Sequence, residues 1–125
     1  MQKELVTYKC DICGNIVTLE HNGGGTLVCC GKPMRKLKAN TVDASLEKHV
    51  PVVTVKNNKI VVQIGSVLHP MEDAHYIQWI ALVSENRVQR VELLPHTNPT
   101  TEFEFVEHGI VYEYCNLHGL WQTTF

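Results

Sequence analysis

Long apolar runs are missing from this 125-residue chain. Its most hydrophobic stretches, such as Ile60, Val61 and Val62, are a few residues long, whereas a membrane-crossing helix needs about 20. Strong net charge is missing too. A formal charge of −2 gives no electrostatic reason for nucleic acid or an anionic membrane as partner. The first ten residues lack the apolar core of a secretory signal, so a cytoplasmic protein is expected. No segment keeps a helical period over a useful length, and there are no internal repeats or low-complexity tracts. An even set of cysteines is absent as well. Five cysteines in a reducing compartment argue against a disulfide framework. The remaining composition, 44% hydrophobic and 19% charged, is that of a globular protein with room for one modest core and a small appendage.

What is present is unevenly distributed. Residues 1–37 hold Cys10, Cys13, Cys29 and Cys30, with five of the eight glycines. So little apolar surface cannot fold such a segment unaided, and a bound metal is a common remedy. Residues 5–9 and 16–20 are predicted as short strands around a turn at Cys13-Gly14, with a loop at residues 22–25. Cys10 and Cys13 are spaced so that one turn can deliver both thiolates to one ion, and Cys29-Cys30 supplies two more. Four thiolates favour zinc or iron in a tetrahedral shell, and spacing alone does not separate the two. A Cys-x-x-Cys redox pair or an inert vicinal pair are the alternatives. Adjacent residues of a strand face opposite ways, so Cys29 and Cys30 can share an ion only across a sharp turn. Gly31 makes that turn accessible, and a distorted tetrahedron is expected.

Residues 38–48 read as a linker, with one helical turn predicted to start at residues 40–43. Beyond residue 50 the pattern is repeated short strands. Segments 52–55 and 59–64 flank Asn57-Asn58, a tight-hairpin signal. Segments 76–83 and 88–94 flank Glu85-Asn86; segment 101–106 alternates, and 110–114 follows a turn at His108-Gly109. Six or seven such strands without helix predict an antiparallel β-sandwich.

Seven histidines are many for this length. His69 and His75 lie at the two ends of a short loop containing Pro70. Cys115 and His118 are three apart in a loop closed by Gly119. His49 follows Glu47 and Lys48. Taken singly, each histidine is an ordinary surface or structural residue. Together, four histidines near strand ends and the leftover cysteine point to a metal site. Imidazole suits iron, copper, nickel and zinc, and a thiolate adds a softer donor. Five ligands would saturate a structural zinc but leave iron, which favours six, one open position.

The segments Tyr8-Lys9-Cys10-Asp11-Ile12-Cys13-Gly14-Asn15, Leu27-Val28-Cys29-Cys30, Glu47-Lys48-His49-Val50-Pro51, His69-Pro70-Met71-Glu72, His75-Tyr76-Ile77-Gln78-Trp79 and Tyr114-Cys115-Asn116-Leu117-His118-Gly119 occur in an order and spacing that resemble desulfoferrodoxin, the two-iron form of superoxide reductase. The resemblance covers essentially the whole chain. It implies a desulforedoxin-like domain over residues 1–37, with iron on Cys10, Cys13, Cys29 and Cys30. It implies an immunoglobulin-like β-sandwich over residues 38–125, holding a second iron on equatorial His49, His69, His75 and His118 and axial Cys115. The activity implied is one-electron reduction of superoxide to hydrogen peroxide at ferrous iron with an open sixth position. An external donor such as rubredoxin would restore the iron, and the working form would be a homodimer. Lys48 would attract the anion; Glu47 would occupy the sixth position of the oxidised iron. His21, His96 and His108 receive no role and read as surface loop residues. A zinc protein with two structural sites, or a plain electron carrier without an open position, are the competing classes.

Overall fold

The computed structural model describes residues 4–42 and 48–125. The chain divides into two compact units, one covering residues 4–38 and the other starting at residue 39. The first is built from very short strands: β1 (Thr7–Lys9), β2 (Ile16–Thr18), β3 (Val28–Cys29), β4 (Lys32–Pro33) and β5 (Arg35–Lys36). They form an antiparallel sheet in the order β2-β1-β5 and a separate β3-β4 hairpin. Among the described residues of this unit, only Thr7 and Cys10 are buried. There is no apolar core here to hold the fold together.

The second unit is a β-sandwich of the immunoglobulin-like kind. It contains β6 (Pro51–Lys56), β7 (Lys59–Ile64), β8 (Ile77–Ser84), β9 (Arg87–Glu92), β10 (Thr100–Glu104), β11 (Ile110–Cys115) and β12 (Gly119–Thr124). One sheet has the order β10-β7-β6 and the other β12-β11-β8-β9, every pair antiparallel. No helix occurs among the described residues. The Asn57-Asn58 turn forms as read: both residues have positive φ, 52° and 59°, as a primed two-residue hairpin requires. Between the sheets, Ile60, Val62, Ile64 and Phe103 pack with Ile77, Ile80, Leu82, Val111 and Cys115.

The helical turn expected at residues 40–43 does not start at Asn40. Asn40 instead bridges Trp121: its N–H donates to the Leu120 carbonyl at 2.9 Å, and its carbonyl accepts from Gln122 N–H at 2.9 Å. Pairing with a strand edge satisfies both backbone groups, which an isolated turn would leave to water. The rest of that expected turn, from residue 43, lies outside the described residues, as does Glu47.

Antiparallel register determines where the loops go. Pro51 pairs with Ile64, while Cys115 pairs with both Ile77 and Gly119. Within each sheet, the strand ends bearing the candidate ligands therefore lie side by side. The β11–β8 ladder slips between Tyr114 and Cys115, so Cys115 faces Ile77 and Gln78 is skipped. Bulges of this kind re-aim a side chain beside a functional site. Gly65, directly after β7, has φ +84°, and a Cβ there would collide with the backbone oxygens of Lys48 and Val67. Only glycine lets the loop before His69 lie against the backbone before His49.

Gly65→Ala is therefore expected to lower unfolding stability by about 2–4 kcal/mol, combining left-handed strain with forced backbone displacement. Gly119→Ala, at φ +85° with nothing within 4 Å of its Cβ, carries the strain alone, about 1–2 kcal/mol. Denaturant unfolding of the two variants side by side checks this; equal losses would show that the Lys48 contact yields freely.

Candidate metal centres

Cys10 ends the run from β1 and opens a knuckle. Its N–H donates to the Asn15 carbonyl at 2.9 Å, and Gly14 N–H donates to the Cys10 carbonyl at 2.9 Å. Gly14 adopts φ +82°, which lets the chain fold back around the sulfur. Backbone amides then point at sulfur: Cys13 N–H to Cys10 Sγ at 3.5 Å and Asn15 N–H to Cys13 Sγ at 3.5 Å. On the opposite side, Cys30 and Gly31 are the two central residues between β3 and β4, with φ 54° and 76°. The sharp turn expected after Cys29 is present, but Cys30 itself takes the left-handed conformation along with Gly31.

The four sulfurs lie within 4.8 Å of one another. Cys13 Sγ and Cys29 Sγ are 3.6 Å apart, and Cys29 Sγ and Cys30 Sγ 4.0 Å. Metal–sulfur bonds of about 2.3 Å at tetrahedral angles would separate sulfurs by about 3.8 Å. Electrostatics give the same answer. Amides of Cys13 and Ile12 lower the Cys10 thiol to about 6, whereas the sulfurs of Cys13, Cys10 and Cys29 push Cys30 up to about 12. The Cys29 thiol is raised as well, chiefly by Cys13. One thiolate is favoured and the next ones are opposed by it; a cation among them removes the conflict. The residues fit a tetrahedral thiolate-bound metal.

The second donor set joins four stretches of chain. His49 sits just before β6, His69 in the loop after β7, His75 just before β8, and Cys115 with His118 at the β11–β12 turn. One donor atom from each of the five lies within 4.8 Å of all the others. The imidazoles form a closed cycle of edge contacts. His49 meets His69 at 4.6 Å between ring centroids, His69 meets His75 at 4.8 Å, His75 meets His118 at 5.1 Å, and His118 returns to His49 at 4.9 Å. Cys115 Sγ lies 3.7 Å from His69 Nε2 and 3.8 Å from His118 Nδ1. His49 Nε2 and His118 Nδ1 are 3.1 Å apart, close to the roughly 3.0 Å expected of two nitrogens bound to one ion at right angles. The set fits a metal with more than four ligands.

Hydrogen bonds hold this geometry. His69 Nδ1–H donates to the Pro70 carbonyl at 2.7 Å, which fixes the tautomer and leaves Nε2 for the site. Asn116 ties the His75 loop to the Cys115 hairpin: its Oδ1 accepts from Tyr76 N–H at 2.9 Å and its Nδ2 donates to the Ala74 carbonyl at 3.0 Å. Met71 Sδ accepts Ile77 N–H at 3.3 Å. His96 also reaches this loop, its N–H donating to the Met71 carbonyl at 2.7 Å and its ring pairing with Asp73 at 3.1 Å. Lys48 lies next to His49 in the backbone. His21, His96 and His108 are all exposed, as expected of surface loop residues. The supporting residues Asn116, Trp121 and His96 had no distinguishing signal in the sequence.

Residues 41–124 match the desulfoferrodoxin family and residues 2–37 the desulfoferrodoxin N-terminal domain. Desulfoferrodoxin of Syntrophotalea carbinolica is 52% identical over 124 residues, covering 98% of each chain. Desulforedoxin of Megalodesulfovibrio gigas is 53% identical over 36 residues, which is 29% of this chain and 97% of that protein. The crystal structure of the superoxide reductase from Treponema pallidum superposes with a TM-score of 0.79 at 31% identity, covering 96% of this chain and 98% of that one. The four-cysteine and the four-histidine, one-cysteine sets correspond to the two iron centres of desulfoferrodoxin, which makes iron the cofactor of both. Two matched domains and a relative of equal length at 52% identity establish that the chain belongs to the desulfoferrodoxin family.

Proposed function

We propose that this protein is a superoxide reductase, adding one electron and two protons to superoxide to give hydrogen peroxide at the four-histidine, one-cysteine centre. The observation that carries this reading is the closed cycle of four imidazoles with a single cysteine sulfur beside it. Iron bound there supplies the electron. His49, His69, His75, His118 and Cys115 would hold that iron, and five protein ligands would leave an ion that favours six one position for a small anion. Within the set Cys115 is 0% exposed and His118 is exposed, so solvent meets the site at His118.

Lys48 is half-buried beside His49. Its ammonium attracts the anion and can orient a water that delivers protons to it. Glu47, outside the described residues, would hold the sixth position of the oxidised site. The four-cysteine centre has no free position, which suits electron transfer or structural support, and it is accessory in this reading. An external one-electron donor such as rubredoxin would restore the reduced state, and the chain would work as a homodimer in the cytoplasm. None of the five cysteines is joined in a disulfide, as thiolate ligation of a metal requires. Among the described residues no helix is long and apolar enough to cross a membrane.

The direct test is pulse radiolysis of the iron-loaded protein with a reductant present. One hydrogen peroxide should form per superoxide consumed, without oxygen release; oxygen at half the superoxide consumed would mean dismutation instead. A colourless zinc-only protein would favour the structural alternative. Lys48→Ile should slow superoxide capture by roughly tenfold and flatten its dependence on ionic strength; an unchanged rate removes the lysine from the mechanism. Cys13→Ser should abolish the N-terminal metal and its colour while the superoxide rate constant stays unchanged. Loss of catalysis with the second iron still bound would make the four-cysteine centre essential.

A further inference from the structure

Trp121 is a large aromatic side chain in contact with two members of the histidine–cysteine set. It lies on β12, three residues after His118, and is 7% exposed. Its indole stacks on the His49 imidazole, with centroids 4.6 Å apart and planes only 12° from parallel. Its Nε1–H donates to the His118 carbonyl at 3.1 Å. These two histidines lie 69 positions apart in sequence, and their ring nitrogens meet at 3.1 Å. The indole is itself anchored, because its backbone forms part of the β11–β12 ladder and is bridged by Asn40.

Each donor has such an anchor. Cys115 ends a strand, His69 is held by the Pro70 carbonyl, and His75 lies in a loop tied down by Asn116. His49 comes from the loop ahead of β6, and rotation about its Cβ–Cγ bond would carry the ring nitrogen away from His118. A flat surface stacked against the ring blocks that rotation. The geometry points to Trp121 as a positioning residue, its stack on His49 and its bond to the His118 carbonyl holding both donors at metal-binding separation. This inference rests on the reading that the five side chains bind iron.

Two consequences separate positioning from mere packing. Metal loss requires the donors to move apart, so weakening the clamp should speed metal release. An electron-rich indole face also favours an imidazole carrying more positive charge, and so the ferric over the ferrous site. A weaker aromatic face should therefore raise the reduction potential.

The experiment takes the iron-loaded protein, challenges it anaerobically with a chromophoric ferrous chelator, and measures the release rate and midpoint potential. Variants are Trp121→Phe, which keeps an aromatic face but loses the N–H bond, and Trp121→Leu, which loses both. Phe103→Leu is the control: Phe103 is equally buried, at 7% exposure, on the opposite sheet. Iron release from the four-histidine centre should be about tenfold faster in Trp121→Phe and about 100-fold faster in Trp121→Leu, the range typical of residues that orient ligands. The potential of Trp121→Phe should rise, and Phe103→Leu should change neither quantity even if its unfolding midpoint falls. Should Trp121→Leu fail to fold, Trp121→Phe decides alone. Release rates that merely follow unfolding midpoints across all three variants, or an unmoved potential in Trp121→Phe, would overturn the inference. Wild-type protein that holds iron but leaves superoxide unreduced would sink the enzymatic reading and leave the clamp to be judged by release.

Discussion

Crowding of donor atoms is the constraint on which the larger unit turns. Five nitrogen and sulfur donors lie within 4.8 Å of one another, and His49, His69 and Cys115 are almost completely buried. Polar groups withdrawn from water must find partners, and lone pairs facing each other are poor ones. A cation among them turns mutual repulsion into shared attraction. The antiparallel topology prepares this arrangement. By register, the start of β6 lies beside the end of β7, and the start of β8 and the start of β12 both lie beside the end of β11. Long-range contacts thus assemble a site that no single segment contains.

The N-terminal unit shows the same constraint with almost no core behind it. Five strands of two or three residues each would not hold together in water, since even a longer two-stranded hairpin is marginal alone. What converges is sulfur. Two tight turns, one at Cys13-Gly14 and one at Cys30-Gly31, aim their thiols at a common point, and amides of the first turn lower the Cys10 thiol to about 6. Metal binding and folding are therefore one event in this unit. A surface pair such as Arg35–Asp11, at 3.1 Å and more than half exposed on both sides, contributes little beside it.

Features encoded locally were legible in the sequence. Asn57-Asn58 announces its turn because asparagine tolerates positive φ, and β7 shows a clean two-residue alternation of burial. The four N-terminal cysteines could be recognised by their spacing, and the four histidines with Cys115 by an excess of histidine near strand ends together with the family resemblance. Features made by tertiary contact were not legible. Asn40 was expected to begin a helical turn, yet the exposed edge of β12 offers its backbone better partners. Strands β3 to β5 are too short to carry a periodic signal. Trp121 and Asn116 look like ordinary residues of a β-hairpin until folding brings His49 and Ala74 against them.

The position of Cys115 links core packing to chemistry. Its side chain belongs to the apolar cluster with Ile64, Ile77 and Val111, so the sulfur is as fixed as the sandwich interior. Close-packed interiors resist displacement, and a thiolate among aliphatic side chains is tolerable only when a cation compensates its charge. His118 is the counterpart: exposed, on a three-residue turn, with a carbonyl held by Trp121. The donor set thus runs from a sulfur fixed in the core to an imidazole at the surface. The skipped residue Gln78 lies on β8, whereas β11 pairs with β12 without interruption through Cys115. The slip therefore leaves the sulfur's side of β11 unchanged and turns Ile77, rather than Gln78, into the core beside it.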